Sequence, residues 1–210
     1  MKNYLFSISL FILNPFFIGP NEPTKIESLK IGAKAPMSSH KMKEVSGKEF
    51  SLNSLKQENG LLVIFSCNTC PFVIGNDNMD GWENRYNETY EFCKLHRIGM
   101  VLINSNEAKR DRGDSFKDML QHSKNKMYDS PYLIDKNHLL ADAFGASTTP
   151  HVFLFNNELE LVYKGAIDDN VKSKKDVKET WLKNAVSSLG KGEKIAKPET
   201  RNSGCSIKRL

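Results

Sequence analysis

The residues with the most chemical potential lie in "LLVIFSCNTCPFV", residues 61–73, where an apolar run ends in Cys67 and Cys70 with two residues between them. Such a pair can be a redox couple, half of a metal site, or two inert thiols. Its context points to redox chemistry. The apolar run "LLVIF" reads as a strand buried on both faces, and the cysteines then open a helical pattern. At a helix N-terminus, unpaired backbone N–H groups and the dipole stabilise an anion. A thiolate placed there has its pKa lowered from ~8.5 into the range ~3.5–7.5. Thiolate is the nucleophile of disulfide exchange, so Cys67 is the expected attacking sulfur. Cys70, one helical turn later, is the expected resolving thiol that attacks the mixed disulfide and releases the substrate. Asn68 and Thr69 form the loop that brings the two sulfurs together, and they either tune the redox potential or simply fill the loop. The competing reading of the pair is a structural disulfide without turnover.

Disulfide exchange on a protein also needs a backbone edge to hold the substrate chain. "GASTTPHVFLF" supplies one: Pro150 directly precedes a strand, and an X-Pro bond is where a cis peptide is accessible. A cis Thr149–Pro150 bond beside the cysteines would present the Thr149 backbone to an extended peptide.

Two other cysteines, Cys93 and Cys205, complete the set of four. "CNTC" followed by "CKLH" offers Cys67, Cys70, Cys93 and His96 in a zinc-like order. Against zinc, Cys93 shares a stripe with Trp82, Tyr86 and Tyr90 at steps of four, four and three, which is one face of a helix; a cysteine there reads as a core residue. Copper held by the cysteine pair and a distant His138 or His151 is the alternative metal reading. No resident metal or cofactor is expected. Cys205 lies in a tail that is polar and mostly without periodicity from Lys191 onward. The fifteen residues from Gly190 could span up to ~50 Å, enough to return to the CxxC pair.

The elements that must position these groups follow from pattern. "IGMVLIN" (98–104), "PYLID" (131–135), "HVFLFN" (151–156) and "LELVYKG" (159–165) read as strands, the last two joined as a hairpin through "NNE". "DSFKDMLQHSK" (114–124), opening on an acid-Ser cap signal, "HLLADAFG" (138–145), closed by Gly145, and "VKETWLKNAVSSLG" (177–190) read as helices. "GKEFSLNSL" (47–55) carries turn chemistry and short apolar alternation. Strands alternating with helices imply an α/β fold with a mixed sheet covered on both sides, ending in an antiparallel hairpin and a helix.

The chain of 210 residues fits one domain with terminal extensions. Hydrophobic residues at 39% and charged residues at 26% suit a globular fold with a core. The net charge of +5 is interleaved with acids, as in "KSKKDVKETWLK", and no basic-aromatic cluster marks a nucleic-acid partner. "MKNYLFSISLFILNPFFIG" has a short charged start and an apolar core, the pattern of a secretory signal peptide. With Asn14 and Pro15 inside it, the run falls short of the ~20 residues of a membrane-spanning helix. The expected organisation is a signal peptide at 1–19, one domain at 20–190 and a tail at 191–210. The mature protein is then extracytoplasmic (periplasmic or secreted), where disulfides persist; an uncleaved N-terminal anchor is the alternative.

"FSCNTCP" after a buried strand, together with "TTPHVFLF…LVYKGAID" before the last helix, resembles the thioredoxin superfamily. The opening "IGAKAPMSSHKMKEVSGKEFSLNSL" resembles the N-terminal β-hairpin extension of its redoxin branch, the AhpC/TSA-like and TlpA/ResA-like thiol proteins. "VLINSNE" and "PYLIDKNHLLADAFGASTTP" look like a secreted, CNxCP-type subgroup. The likeness covers residues 31–190. It implies a thioredoxin-like fold, a nucleophile at Cys67, a resolving thiol at Cys70, a cis proline at Pro150, and protein thiols and disulfides as partners beside an unidentified electron donor or acceptor. Related chains end in a similar "GCSIK", which makes Cys205 a candidate third redox cysteine that docks near Cys67 or links to a partner; a terminal thiol without a role is the plain alternative. Two departures stand out. Thioredoxins proper keep a buried acid in the strand before the CxxC, and "LLVIF" has none. Peroxiredoxins carry a P-x-x-x-T-x-x-C loop, and none precedes Cys67, which favours disulfide exchange over peroxide reduction.

Overall fold

The computed structural model describes residues 27–210, so the signal-peptide reading of residues 1–19 lies outside the described residues. In chain order the elements are β1 (Met42–Glu44), β2 (Glu49–Phe50), α1 (Leu52–Leu55), β3 (Gly60–Ser66), α2 (Pro71–Ile74), α3 (Tyr86–Leu95), β4 (Ile98–Asn104), α4 (Phe116–Asn125), β5 (Tyr132–Ile134), α5 (Leu139–Phe144), β6 (Thr148–Thr149), β7 (His151–Phe155), β8 (Leu161–Gly165), α6 (Trp181–Gly190) and β9 (Cys205–Ser206). Seven strands form one mixed sheet in the order β2-β1-β5-β4-β3-β7-β8, while β6 and β9 pair separately. β3 runs parallel to β4 and antiparallel to β7. The β1–β2 hairpin hangs on the edge of the sheet through β5.

All seven residues of β3 and all seven of β4 are buried, which is what helices over both faces require. Because side chains alternate across a strand, β3 feeds two cores. Leu62 and Ile64 join Tyr86 and Cys93 of α3 and Leu182, Ala185 and Val186 of α6 on one face. Leu61, Val63 and Phe65 join Leu52 of α1 and Leu140, Ala141 and Phe144 of α5 on the other. The architecture is a thioredoxin-like α/β fold with an N-terminal β-hairpin extension.

Three helices, α2, α3 and α6, differ from the sequence pattern, each because hydrogen bonds from elsewhere in the chain set its limits, while α4 opens at the expected serine cap. The helix opened by the CxxC pair is one turn long. Gly75 breaks it at φ 81°, and a Cβ there would lie 2.6 Å from Asp80 O. The following loop is tied to the far side of the domain through Asp80 N–H to Lys172 O (3.0 Å) and Gly81 N–H to Val171 O (3.2 Å). Trp82 is therefore buried ahead of α3 rather than on it. α6 begins at Trp181 because Asp169 Oδ1 holds Lys178 N–H at 3.0 Å, with Val177 extended and 177–180 outside any helix. α4 is capped by Ser115, whose hydroxyl and Asp118 form a reciprocal capping box; Asp114 is released for another task. No helix among the described residues is long and apolar enough to cross a membrane.

Candidate active site

β3 delivers Cys67 one residue past its end, and α2 starts one residue past Cys70, which is that helix's N-cap. Both sulfurs face β6. The Thr149–Pro150 bond is cis. Cys67 Sγ lies 3.2 Å from Thr149 Oγ1, and Cys70 Sγ lies 3.1 Å from Thr149 O. The two cysteines and Thr149 are at most 3% exposed, and all four thiols are reduced.

The charge is not distributed as the helix argument predicted. Burial pushes the Cys67 thiol well up, aided by the hydrogen bond it gives Cys70 and by the negative charge of Asp114. Cys70 is lowered to about 5, chiefly because it accepts from Cys67 and also from the Cys205 side chain and N–H. Thr149 O pulls the other way, since a thiol donates to a carbonyl and a thiolate cannot. The donors outnumber that single acceptor, and we place the thiolate on Cys70. The two sulfurs share a proton and titrate as a pair. A four-residue helix capped by Cys70 gives Cys67 little dipole stabilisation, so the expected activation of Cys67 is replaced by this pairing.

A buried acid does serve the site, from a place the sequence pattern assigned to capping. Asp114 is fully buried. Its Oδ1 accepts from Asn68 N–H (2.8 Å) and Asn104 Nδ2 (2.7 Å). Its Oδ2 accepts from Thr69 Oγ1 (2.8 Å) and Asn106 Nδ2 (3.1 Å). Asn68 also donates to Gly113 O (2.9 Å) and accepts from Tyr132 OH (2.9 Å). The two residues between the cysteines are thus tied by hydrogen bonds to Asp114, Gly113 and Tyr132. The available signal was a surplus: two acids, Asp114 and Asp118, flank a serine cap that uses one of them.

The tail returns to the site, and it meets Cys70 rather than Cys67. β9 pairs antiparallel with β6, Cys205 opposite Thr149. Cys205 N–H points at Cys70 Sγ at 3.4 Å. Burial and the neighbouring Cys70 push the Cys205 thiol up to about 11.

The metal readings fare differently. Cys93 is fully buried in the α3–α6 core and its thiol is pushed up to about 12 by burial. His96 Nδ1 is engaged by Phe92 O at 2.9 Å, and His138 Nδ1 by Asp142 at 2.7 Å. His151 is buried and held neutral, lowered to about 3 by desolvation. Among the described residues no three His, Cys, Asp or Glu side chains gather as a metal site, so the zinc set Cys67, Cys70, Cys93 and His96 does not assemble.

Several solved structures are similar to this chain as a whole. A hypothetical protein from Sinorhizobium meliloti 1021 is 29% identical, with a TM-score of 0.74 over 88% of this chain and 97% of that one. An uncharacterized conserved protein from Geobacillus kaustophilus is 26% identical, with a TM-score of 0.75 over 86% and 93%. The peroxidoxin BcpB from Mycobacterium tuberculosis, 12% identical with a TM-score of 0.55 over 77% and 96%, shares the fold. No curated protein matches. The family model named Redoxin matches residues 30–180, from the strand-hairpin extension through the cysteine pair and the cis proline to the start of the last helix, and the chain belongs to the Redoxin family.

Proposed function

We propose that this chain is an extracytoplasmic thiol–disulfide oxidoreductase that exchanges disulfides with protein thiols through Cys67 and Cys70. One observation carries the reading: both sulfurs sit against Thr149 of the β6 edge, Cys67 on its hydroxyl at 3.2 Å and Cys70 on its backbone carbonyl at 3.1 Å, where an extended peptide can pair with a sheet strand. Attack by Cys67 requires the shared proton to cross to Cys70, whose thiol then donates to Thr149 O across the contact already present. The Cys67 thiolate attacks one sulfur of a client disulfide; the Cys67–client bond forms, the client bond breaks, and the leaving sulfur carries away the electron pair. Cys70 next gives up its proton to that sulfur and attacks Cys67, forming the Cys67–Cys70 disulfide and releasing the second client sulfur as a thiolate, which takes its proton from water. The client is reduced by two electrons and the pair is oxidised; an electron donor of the dithiol class restores it, and a disulfide partner runs the same steps in reverse. The apolar N-terminal segment of the sequence supports export.

The test is a redox titration of residues 20–210 under metal-free conditions. The protein is equilibrated in graded thiol/disulfide buffers, trapped with an alkylating agent and mapped by mass. A reversible two-electron Cys67–Cys70 couple is expected. A pair that resists oxidation while the untreated protein carries stoichiometric zinc or copper would replace this reading with metal binding, and turnover of hydrogen peroxide would replace it with a thiol peroxidase.

A further inference from the structure

The peptide edge beside the cysteines is already taken, by the chain's own C-terminus. Residues 198–209 are strapped down along their length. Lys164 N–H meets Pro198 O and Thr200 N–H meets Lys164 O, each at 3.0 Å. Asn202 Nδ2 donates to Thr148 Oγ1 at 2.8 Å. Past the β6–β9 pair, Ile207 N–H reaches Ser147 O at 3.0 Å, and its side chain is buried in the α5 core. Lys208 N–H binds Asn106 Oδ1 at 2.9 Å, and Arg209 closes the strap on Asp142 at 2.7 Å and Ala146 O at 2.6 Å. Gly204 permits the closest approach: a Cβ there would sit 2.3 Å from Thr149 O. The segment "GCSI" therefore fits the edge as a bound peptide would, with its cysteine opposite Thr149 and against Cys70.

Resting on the oxidoreductase reading, we infer that the C-terminal strand is a built-in substrate: Cys205 exchanges disulfide with Cys70, and the strand must leave before any other extended peptide pairs with Thr149. In the oxidised pair, the Cys205 thiolate attacks Cys70 Sγ. The Cys70–Cys205 bond forms, the Cys67–Cys70 bond breaks, and the electron pair leaves on Cys67, which takes the proton that Cys205 gave up. Nothing is oxidised or reduced overall; the disulfide moves from a buried pair to a half-exposed sulfur on a detachable strand. Burial raises the Cys205 thiol first and the neighbouring Cys70 second; once Cys70 is in a disulfide the second contribution is absent, which eases loss of the Cys205 proton while the contact with Cys70 Sγ remains. The same geometry names the class of external client: an extended segment with a small residue before its cysteine and an apolar residue two positions after it.

The test uses the full chain carrying Cys67→Ser, equilibrated in oxidised and reduced glutathione, trapped and mapped. An intramolecular Cys70–Cys205 disulfide is expected as the main oxidised species. Glutathionylated Cys70, or cross-linked dimers, with Cys205 still alkylated would overturn the inference. Cys205→Ser separates the two levels: if it retains a reversible Cys67–Cys70 couple while Cys67→Ser forms no Cys70–Cys205 bond, only the strand inference falls, whereas loss of the couple itself sinks the oxidoreductase reading. A second variant, Gly204→Val, forces the strand off its edge without touching a thiol. It should speed alkylation of Cys70 in the reduced protein about tenfold or more, since reaction would no longer wait on local opening. An unchanged rate would refute the seating of the strand as the barrier.

Discussion

The placement of the thiolate on Cys70 makes a prediction about protons that needs no client. The thiol falls from an ordinary value of 9.0 to about 5, so the reduced protein should carry one thiolate at pH 7. At that pH a drop of this size stabilises the reduced state by two pH units, a ceiling of about 2.7 kcal/mol. Solvent at the rim of the site screens part of it, and the corresponding rise in the reduction potential is about 30–60 mV over a pair with ordinary thiols. Folding stability must follow. A group whose folded pKa is depressed stabilises the native state fully above its unfolded value and loses that contribution as pH falls through the folded one. Here the window is pH 9 to 5. Between pH 7 and pH 5 the reduced protein should lose about 1–2 kcal/mol from Cys70, or a few degrees in Tm.

The perturbation is Cys70→Ser. Ultraviolet thiolate absorbance of the reduced wild type should show one step centred near pH 5, absent in the variant. The stability difference between pH 7 and pH 5 should shrink by the same 1–2 kcal/mol in the variant. The comparison subtracts His151 and Asp135, which titrate alike in both proteins. Cys67 and Cys205 do not interfere, because their raised values act only above the ordinary thiol range. A wild type with no thiolate below pH 8, or a step that survives Cys70→Ser, would refute the assignment and return the charge to Cys67 or to neither sulfur.

Three further outcomes are expected. Asp114→Asn turns one accepting oxygen into a donor facing two donors, so it should cost about 2–4 kcal/mol in denaturant unfolding. It should also raise the Cys67–Cys70 midpoint in glutathione buffers, because the Asp114 charge opposes a Cys67 thiolate; an unmoved midpoint would leave Asp114 a purely structural residue. His151, lowered from 6.5 to about 3 by burial, stabilises the fold above pH 6.5 and loses that contribution as pH falls, by up to about 1.4 kcal/mol per pH unit. His151→Gln should therefore flatten stability between pH 6 and pH 4, and a profile parallel to wild type would contradict the burial argument. Phe144→Ala empties a site ringed by Phe65, Phe153 and Phe155 at 5.3 to 5.5 Å and should cost about 3–5 kcal/mol; equilibrium unfolding checks it, with the redox midpoint unchanged because the thiols lie on the opposite face of the sheet.

What was legible in the sequence depended on the range of the forces involved. β3, β4 and β7 announce themselves because a strand buried on both faces must be apolar throughout, and "LLVIF", "IGMVLIN" and "HVFLFN" carry that requirement locally. Gly145 closes α5 for an equally local reason, a left-handed cap at φ 62°. The errors fall where distant segments compete for the same backbone. α2 stops after one turn because 80–81 bonds to 171–172, and α6 starts late because Asp169 claims Lys178. Neither partner is visible in a window of helical length.

The same distinction explains the site. Cys67, Cys70 and Pro150 are short-range signatures, whereas the proton the two cysteines share is also biased by a strand 135 residues away from Cys70 and by Asp114, 46 residues from Asn68. A dipole argument built on the local helix put the charge on Cys67. The hydrogen bond from Cys67, with those from Cys205 added to it, puts it on Cys70. The helix contributes one turn of N–H groups, while Cys205 and Cys67 contribute donors aimed at a single sulfur, and donors in contact outweigh a short dipole. In this chain the charge depends in part on what occupies the peptide edge: with the tail seated, the Cys205 donors add to the larger contribution of Cys67 on Cys70, and with the tail gone, Cys70 loses them and keeps Thr149 O, which favours its protonated form. A tail-truncated chain ending before Pro198 should therefore show its thiolate step at higher pH than the full chain, and a step unmoved by truncation would mean that Cys67 alone holds the Cys70 charge in place.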